Sequence, residues 1–299
     1  MTKKRILSTL AAGLALACDA GAADLDTAAI EKAMGAKGTA NEAEGVFKVA
    51  FPRTDVGVKV DGNPFPPFMG LTSWAAFQKG TKSEAMVMGD LVLFEDEVNP
   101  VMSAALDGGL TVTALHNHFF FDEPKVYFMH IGGEGGTEAL ANGVRGAFDV
   151  VKRVRAARAE PATAFGSGPA VLSGPSRVSA EPIEKAFGVK ASVKDGMVKI
   201  VLGRTARASC GCDVGKEMGV NTWAAFAGDD ERAIVCGDFV CFPGELQPAL
   251  KALRAGGINV VTIHNHMEDE SPRLIFLHYW ATGKPADLAK KLKAAADVM

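Results

Sequence analysis

The chain has only six histidines, and they fall in two identical triplets: His116-Asn117-His118 with His130, and His264-Asn265-His266 with His278. Residues two apart on a strand point to the same side, so His116 and His118 share a face, as do His264 and His266. A turn centred on Pro124 places His130 opposite His118, and one centred on Pro272 places His278 opposite His266. Cross-strand neighbours lie about 4.5–5.5 Å apart at Cβ, near enough for three imidazoles to meet one ion at about 2.0–2.1 Å. Three neutral imidazoles leave a coordination position open, as in a catalytic zinc site. All six histidines are therefore read as metal ligands, for zinc first and for copper or another divalent transition metal next. The competing readings are core histidines with ordinary hydrogen bonds and a histidine network bracing the duplicated interface.

Other matched residues offer supporting chemistry. Asp90 and Asp238 correspond, as do Glu97 and Glu245. Either pair offers a fourth ligand, an orienting partner for a histidine or a general acid/base. The aspartates read first as turn carboxylates, and Glu97 and Glu245 are carried as the catalytic candidates. Arg53 and Arg204 also correspond and suit a carboxylate or phosphate substrate beside a metal, against the alternative of a surface ion pair. Trp74 and Trp223 read as core packing. The acidic turns Asp122-Glu123 and Glu268-Asp269-Glu270 read as solvated.

These pairs belong to an internal duplication. Gly70-Leu-Thr-Ser-Trp74-Ala-Ala-Phe77 recurs as Gly219-Val-Asn-Thr-Trp223-Ala-Ala-Phe226, and Gly89-Asp90-Leu-Val-Leu-Phe94 as Gly237-Asp238-Phe-Val-Cys-Phe242. Each copy reads as a short helix at Ile30 or Ile183, alternating strands at 46–51 or 197–202, and strands carrying the Trp and the Gly-Asp pair. A helix follows at 97–106 or 245–253, stopped by Gly-Gly. Then come a hairpin (110–119 with 125–132; 258–267 with 273–281) and a closing helix (137–158, weakened at Gly143 and Gly146; 285–298). The fold class is α+β, with two homologous units of mainly antiparallel strands and flanking helices. The boundaries read as a signal peptide at 1–22, a first repeat at 23–158, a flexible Pro/Gly/Ser linker at 159–179 and a second repeat at 180–299.

At 299 residues, 48% hydrophobic and with a formal net charge of −3, the chain has the composition of a globular protein with ample core. Nothing basic marks a nucleic-acid face, and His-Asn-His in that context is not read as a nuclease motif. No apolar run reaches the roughly 18 residues of a membrane span. Lys3, Lys4 and Arg5 before the apolar stretch from Ile6 to Ala17 and the small residues Ala20-Gly21-Ala22 form an export signal, which implies a periplasmic or secreted protein. Cys18 offers a lipid anchor, although Leu16 sits one place nearer the cysteine than a lipobox has it. In an oxidising compartment Cys210, Cys212, Cys236 and Cys241 are expected to form one or two disulfides, with Cys210-Gly211-Cys212 as an alternative soft-metal pair.

The Trp-Ala-Ala-Phe element, the Gly-Asp strand and His-Asn-His, each present twice in an exported chain, resemble the LppY/LpqO family of bacterial exported proteins and lipoproteins. That resemblance implies location and duplication rather than an activity. The spacing of His-x-His and a third His is also similar to the α-acetolactate decarboxylase-like fold group, whose three-histidine zinc would correspond to His116, His118 and His130 or to the second triplet. The expectation is an exported metal-binding hydrolase or lyase acting on a small molecule. The alternatives are a non-catalytic metal-binding or delivery protein and a ligand-binding protein.

Overall fold

The computed structural model describes residues 25–166 and 170–299; the leader expected over 1–22, with Cys18, lies outside them. The first repeat runs α1 (Thr27–Met34), β1 (Thr39–Asn41), β2 (Val46–Pro52), β3 (Val58–Val60), β4 (Asn63–Phe65), β5 (Thr72–Lys79), β6 (Ala85–Phe94), α2 (Glu95–Asp107), β7 (Thr111–His116), β8 (Asp122–Glu123), β9 (Val126–Gly135) and α3 (Thr137–Ala157). The second runs α4 (Ala180–Phe187), β10 (Ser192–Lys194), β11 (Met197–Gly203), β12 (Ala206–Arg207), β13 (Asp213–Val214), β14 (Asn221–Gly228), β15 (Ala233–Cys241), α5 (Leu246–Ala255), β16 (Asn259–His264), β17 (Ile275–Gly283) and α6 (Pro285–Ala296). The fold is α+β and duplicated, as the sequence pattern predicts. Among the described residues no helix is long and apolar enough to cross a membrane.

Local chemistry sets the helix ends. Asp26 accepts from the Ala29 amide at 2.8 Å and caps α1, which Gly35 ends in the left-handed region at φ 62°. Glu95, Asp96 and Glu97 fill the first turn of α2, where the helix dipole favours negative charge. Gly143 is not a weak point of α3: a Cβ there would lie 2.7 Å from the Gly108 carbonyl oxygen, so the glycine lets α3 approach the end of α2 closely.

Twelve strands make one sheet in the order β1-β2-β5-β6-β9-β7-β16-β17-β15-β14-β11-β10. Each repeat supplies six, and the repeats meet where Leu115 of β7 pairs with Ile263 of β16. Strand residues of one parity, including Phe77, Leu91, Met129 and Ile131 with Phe226, Phe239, Leu277 and Tyr279, share a core with apolar residues of all six helices. The helices therefore cover one face. The other face is left open, bordered by two small apolar clusters built on Phe128 and Phe276 beneath the short strands β3, β8, β12 and β13. The Gly-Asp repeat reflects this division. Gly237 points to the covered face, where a Cβ would come within 2.2 Å of the Tyr279 hydroxyl, and Asp238 points to the open one. The linker is docked where it is described: Ala162 donates to Asp96 at 3.0 Å, and the Phe165 and Trp280 rings stack with centroids 5.6 Å apart.

The seam between repeats is held by an exchange of amides. Asn99 of α2 crosses to the second repeat, accepting from the Val260 N–H at 2.8 Å and donating to its carbonyl at 3.1 Å. Gln247 of α5, its counterpart, treats Val112 in the same way at 2.9 and 2.8 Å. Each side chain supplies the partners that a neighbouring strand would have given. Removing either leaves the peptide groups of a buried valine unpaired. Asn99→Ala and Gln247→Ala are each expected to cost about 1–3 kcal/mol, read as a lower urea midpoint at constant m-value. Unchanged midpoints in both variants would show that the seam does not depend on the amides.

Candidate metal centre

The strands place the histidines through one irregularity per repeat. β7 and β9 are in register at Thr111↔Gly132 and Val112↔Ile131, then slip so that Ala114 faces His130 and His116 faces Phe128. Thr113 is the extra residue of this bulge. Without it His116 would stand opposite Tyr127 and turn into the helix-covered core, because a one-residue slip reverses every side chain. Val261 repeats the device between β16 and β17. The hairpins are thus centred on Asp122 and Glu270, not on Pro124 and Pro272, and His130 and His278 face Ala114 and Thr262 rather than His118 and His266. The physical reason lies in the turns. Asp122 and Glu270 are buried, not solvated, and accept the amides of Val126 at 2.7 Å and Leu274 at 2.6 Å.

His118 and His266 return to the open face from the loops by stacking on Phe128 and Phe276, with ring centroids 3.3 and 3.4 Å apart. The His116 ring lies 5.1 Å from both His118 and His130, and the His264 ring lies 5.1 Å from His266 and 4.8 Å from His278. Nε2 of His116 is 3.0 Å from Nε2 of His130. Two nitrogens on a tetrahedral zinc stand about 3.3 Å apart, so a few tenths of an ångström separate this pair from a ligating one.

The carboxylate at each triplet is aspartate. Trp74, Asp90, His130 and Ala114 stand directly opposite one another on successive strands, and so do Trp223, Asp238, His278 and Thr262. Oδ2 of Asp238 is 3.6 Å from Nε2 of His266, and its Oδ1 is 3.9 Å from Nδ1 of His278. Nδ1 of His278 also lies 3.2 Å from the Gly237 carbonyl. Ligand atoms of Asp238, His264 and His266 all fall within 4.8 Å of one another, so this group can hold a metal ion. Oδ1 of both Asp90 and Asp238 is buried without a hydrogen-bond partner.

Burial shapes the protonation of both groups. It pushes Asp238 up to about 6, against the pull of His278, and raises Asp90 against His130, His118 and His116. Burial also holds His118, His264 and His266 below the ordinary imidazole range, and neighbouring imidazoles act in the same sense. These three rings are therefore neutral near pH 7, as ligation requires. Unpartnered buried oxygens beside neutral imidazoles fit a divalent cation.

Five further expectations are corrected. Asp90 and Asp238 are strand residues of the site, not turn carboxylates. Glu97 and Glu245, carried as catalytic, are committed elsewhere together with Arg53 and Arg204, carried as substrate-binding. Glu97 is fully buried and accepts from Arg53 at 2.8 and 3.0 Å and from the Phe94 amide at 2.9 Å, while Arg53 also bonds Asp55 and the Val92 carbonyl. Arg204 grips Glu245 with both terminal nitrogens, and Glu245 accepts from the Phe242 amide at 2.7 Å. Each arginine also lies on an aromatic ring, Phe94 or Phe242. These modules fix the strand-to-helix corners and offer no free group. Trp74 and Trp223 are not core residues; they stand on the open face beneath Lys48 and Lys199, at 4.3 and 4.4 Å. The four cysteines are free thiols rather than disulfides. Cys236 and Cys241 lie five residues apart on β15 and so point to opposite faces. Burial pushes Cys241 up to about 12, and the exposed Cys210 and Cys212 sit at the β12–β13 tip.

A duplicated sheet with a His/Asp cluster on its open face defines the class of protein. The chain belongs to the family described as Domain of Unknown Function (DUF1259), which matches residues 28–150 and again 181–298. No curated protein matches. A solved structure, a trimeric bacterial microcompartment shell protein PduB, aligns over 87% of this chain and 89% of its own at 14% identity, with a TM-score of 0.18. A score that low carries no argument.

Two variants separate scaffold from site. Arg53→Ala strands a buried carboxylate and is expected to cost about 3–5 kcal/mol while leaving the ion content of the folded protein unchanged; loss of bound ion at full stability would return Arg53 to the site. Asp238 has a folded-state pKa above its unfolded value. Its contribution in metal-free protein is therefore favourable below about pH 4 and is lost as the pH climbs through about 6. Asp238→Asn should match wild-type stability in acid and exceed it by about 1–3 kcal/mol above neutrality. Equal pH–stability curves for the two proteins would show that the carboxylate is not strained.

Proposed function

We propose that this is an exported, metal-dependent hydrolase or lyase of the bacterial cell envelope. Its divalent ions, zinc first, are held by His116, His118 and His130 with Asp90 and by His264, His266 and His278 with Asp238. The observation that carries this reading is the pairing, in both repeats, of clustered imidazoles with a buried aspartate whose Oδ1 has no partner. A divalent ion held there supplies Lewis-acid polarisation of a carbonyl or phosphoryl oxygen. The chain's own groups hold His118, His264 and His266 neutral and place a carboxyl that can keep or release a proton next to them. The triplets lie on the face of the sheet that the helices leave uncovered. Export rests on the N-terminal Lys/Arg, apolar and small-residue order and on the resemblance to LppY/LpqO proteins.

One observation favours a second reading, a carrier that binds zinc or copper for delivery. His118 and His266 are exposed, so the ions would sit at the surface rather than in a substrate cleft.

Elemental analysis of protein purified from its native compartment tests the shared premise. Wild type is expected to carry a transition metal, and His116→Ala and His264→Ala each to lose part of it. A metal-free wild type that also fails to take up zinc or copper ends both readings. With metal present, turnover of ester, phosphate or keto-acid substrates that disappears on chelation marks the enzyme, and exchange of the ion without turnover marks the carrier.

A further inference from the structure

The open face carries the two clusters as one surface. Leu115 and Ile263 pair in antiparallel register across the seam, which sets His116 opposite Thr262 and Ala114 opposite His264. Opposite residues share a face, so two rows run unbroken from one repeat into the other. The first holds Asp90, His130, Ala114 and His264; the second holds Asp238, His278, Thr262 and His116. His116 and His264 are diagonal neighbours, a relation that spans about 7–8 Å, and His116 stands in the same relation to His130 of its own triplet. Between the triplets the floor is Ala114 and Thr262. Both are small, and the Thr262 hydroxyl is turned away to the Leu115 carbonyl at 2.9 Å. A shallow trough thus joins two cation positions.

We propose that the six histidines and two aspartates form a single two-ion centre across the seam, whose ligand is an anion with two coordinating groups that bridges the ions over Ala114 and Thr262. This rests on the metal-binding reading above and adds that the two halves act together. A ligand anchored at one ion presents its second group to the other at high effective concentration, a gain of about 10²–10⁴ when the span fits. A one-headed anion has no such gain.

Cu²⁺ and two carboxylates test it. Protein loaded with Cu²⁺ is expected to hold two ions per chain and to give an electron paramagnetic resonance spectrum broadened by dipolar coupling. His116→Ala and His264→Ala should each retain one ion with a narrow spectrum. Succinate is expected to bind the two-ion protein more than about tenfold tighter than acetate, and this advantage should vanish in either single-triplet variant. Ala114→Leu keeps every ligand and fills the trough, so it should retain both ions and lose the succinate advantage. A wild-type spectrum equal to the sum of the single-triplet spectra overturns the two-ion centre. A succinate advantage that survives in Ala114→Leu or in the single-triplet variants overturns the bridging ligand. Protein that takes up no Cu²⁺ or Zn²⁺ defeats the underlying metal reading instead, so the two failures are told apart.

Discussion

The structure depends on a one-residue slip that is held in place from the other repeat. At Thr113 and Val261 an extra residue shifts the register and carries the following histidine from the covered face to the open one. A bulge interrupts the ladder and leaves backbone groups to be satisfied. The residues just before the bulges, Val112 and Val260, are those whose N–H and C=O are met by Gln247 and Asn99 from the opposite repeat. Each half thus stabilises the irregularity that aims the other half's histidines. Alone, a repeat would lack that support and would expose β7 or β16 as an unpaired edge next to its own site.

The duplication does more than double a domain. Joining two six-stranded sheets edge to edge places the inner strands, which carry His-x-His, side by side and leaves the Trp-Lys pairs toward the outside. The helices supply the shared core on one face, so the opposite face is free of the demands of packing. Polar residues accumulate there without an unmatched burial cost over most of its area. Asp90 and Asp238 are the exceptions: they are buried while the histidines beside them remain partly open.

Much of this was legible in the sequence. The repeat, the helix ends and the strands follow from periodicity and from Gly and acidic punctuation, and the six histidines stand out because no others exist. Register was harder. Alternation fixes which residues share a face within a strand, but a bulge leaves the apolar pattern on either side intact and moves the phase between them, so alternation alone sets the hairpin centre two residues too late. The place of the aspartate is not legible from spacing either. Asp90 is distant from His116 in sequence and meets His130 only across β6 and β9, a pairing that depends on strand order. The signal that could have found it is the repeated Trp and Gly-Asp: once Trp74 is placed opposite Asp90, both must lie on the face opposite the buried Ala75 and Phe77 of β5. Glu97 and Glu245 drew attention because they match between repeats, yet matching marks any residue that a duplicated fold needs, and their need is to close a corner with Arg53 and Arg204.

The same contrast separates scaffold from site in energetic terms. In the Arg–Glu corners both carboxylates accept from guanidinium and backbone N–H groups, and burial strengthens these contacts. In the His/Asp clusters burial acts against the charged state of both kinds of group: His118, His264 and His266 are held below the ordinary imidazole range and the Asp238 carboxyl is pushed toward its protonated form. A scaffold gains nothing from such an arrangement. A cation reverses the balance, because it favours the ionised carboxylate and uses the lone pairs of neutral rings, and whatever binds only the folded chain adds its binding free energy to stability. Both clusters combine a buried aspartate oxygen without a partner with imidazoles held below their ordinary range, and they flank the seam between the repeats.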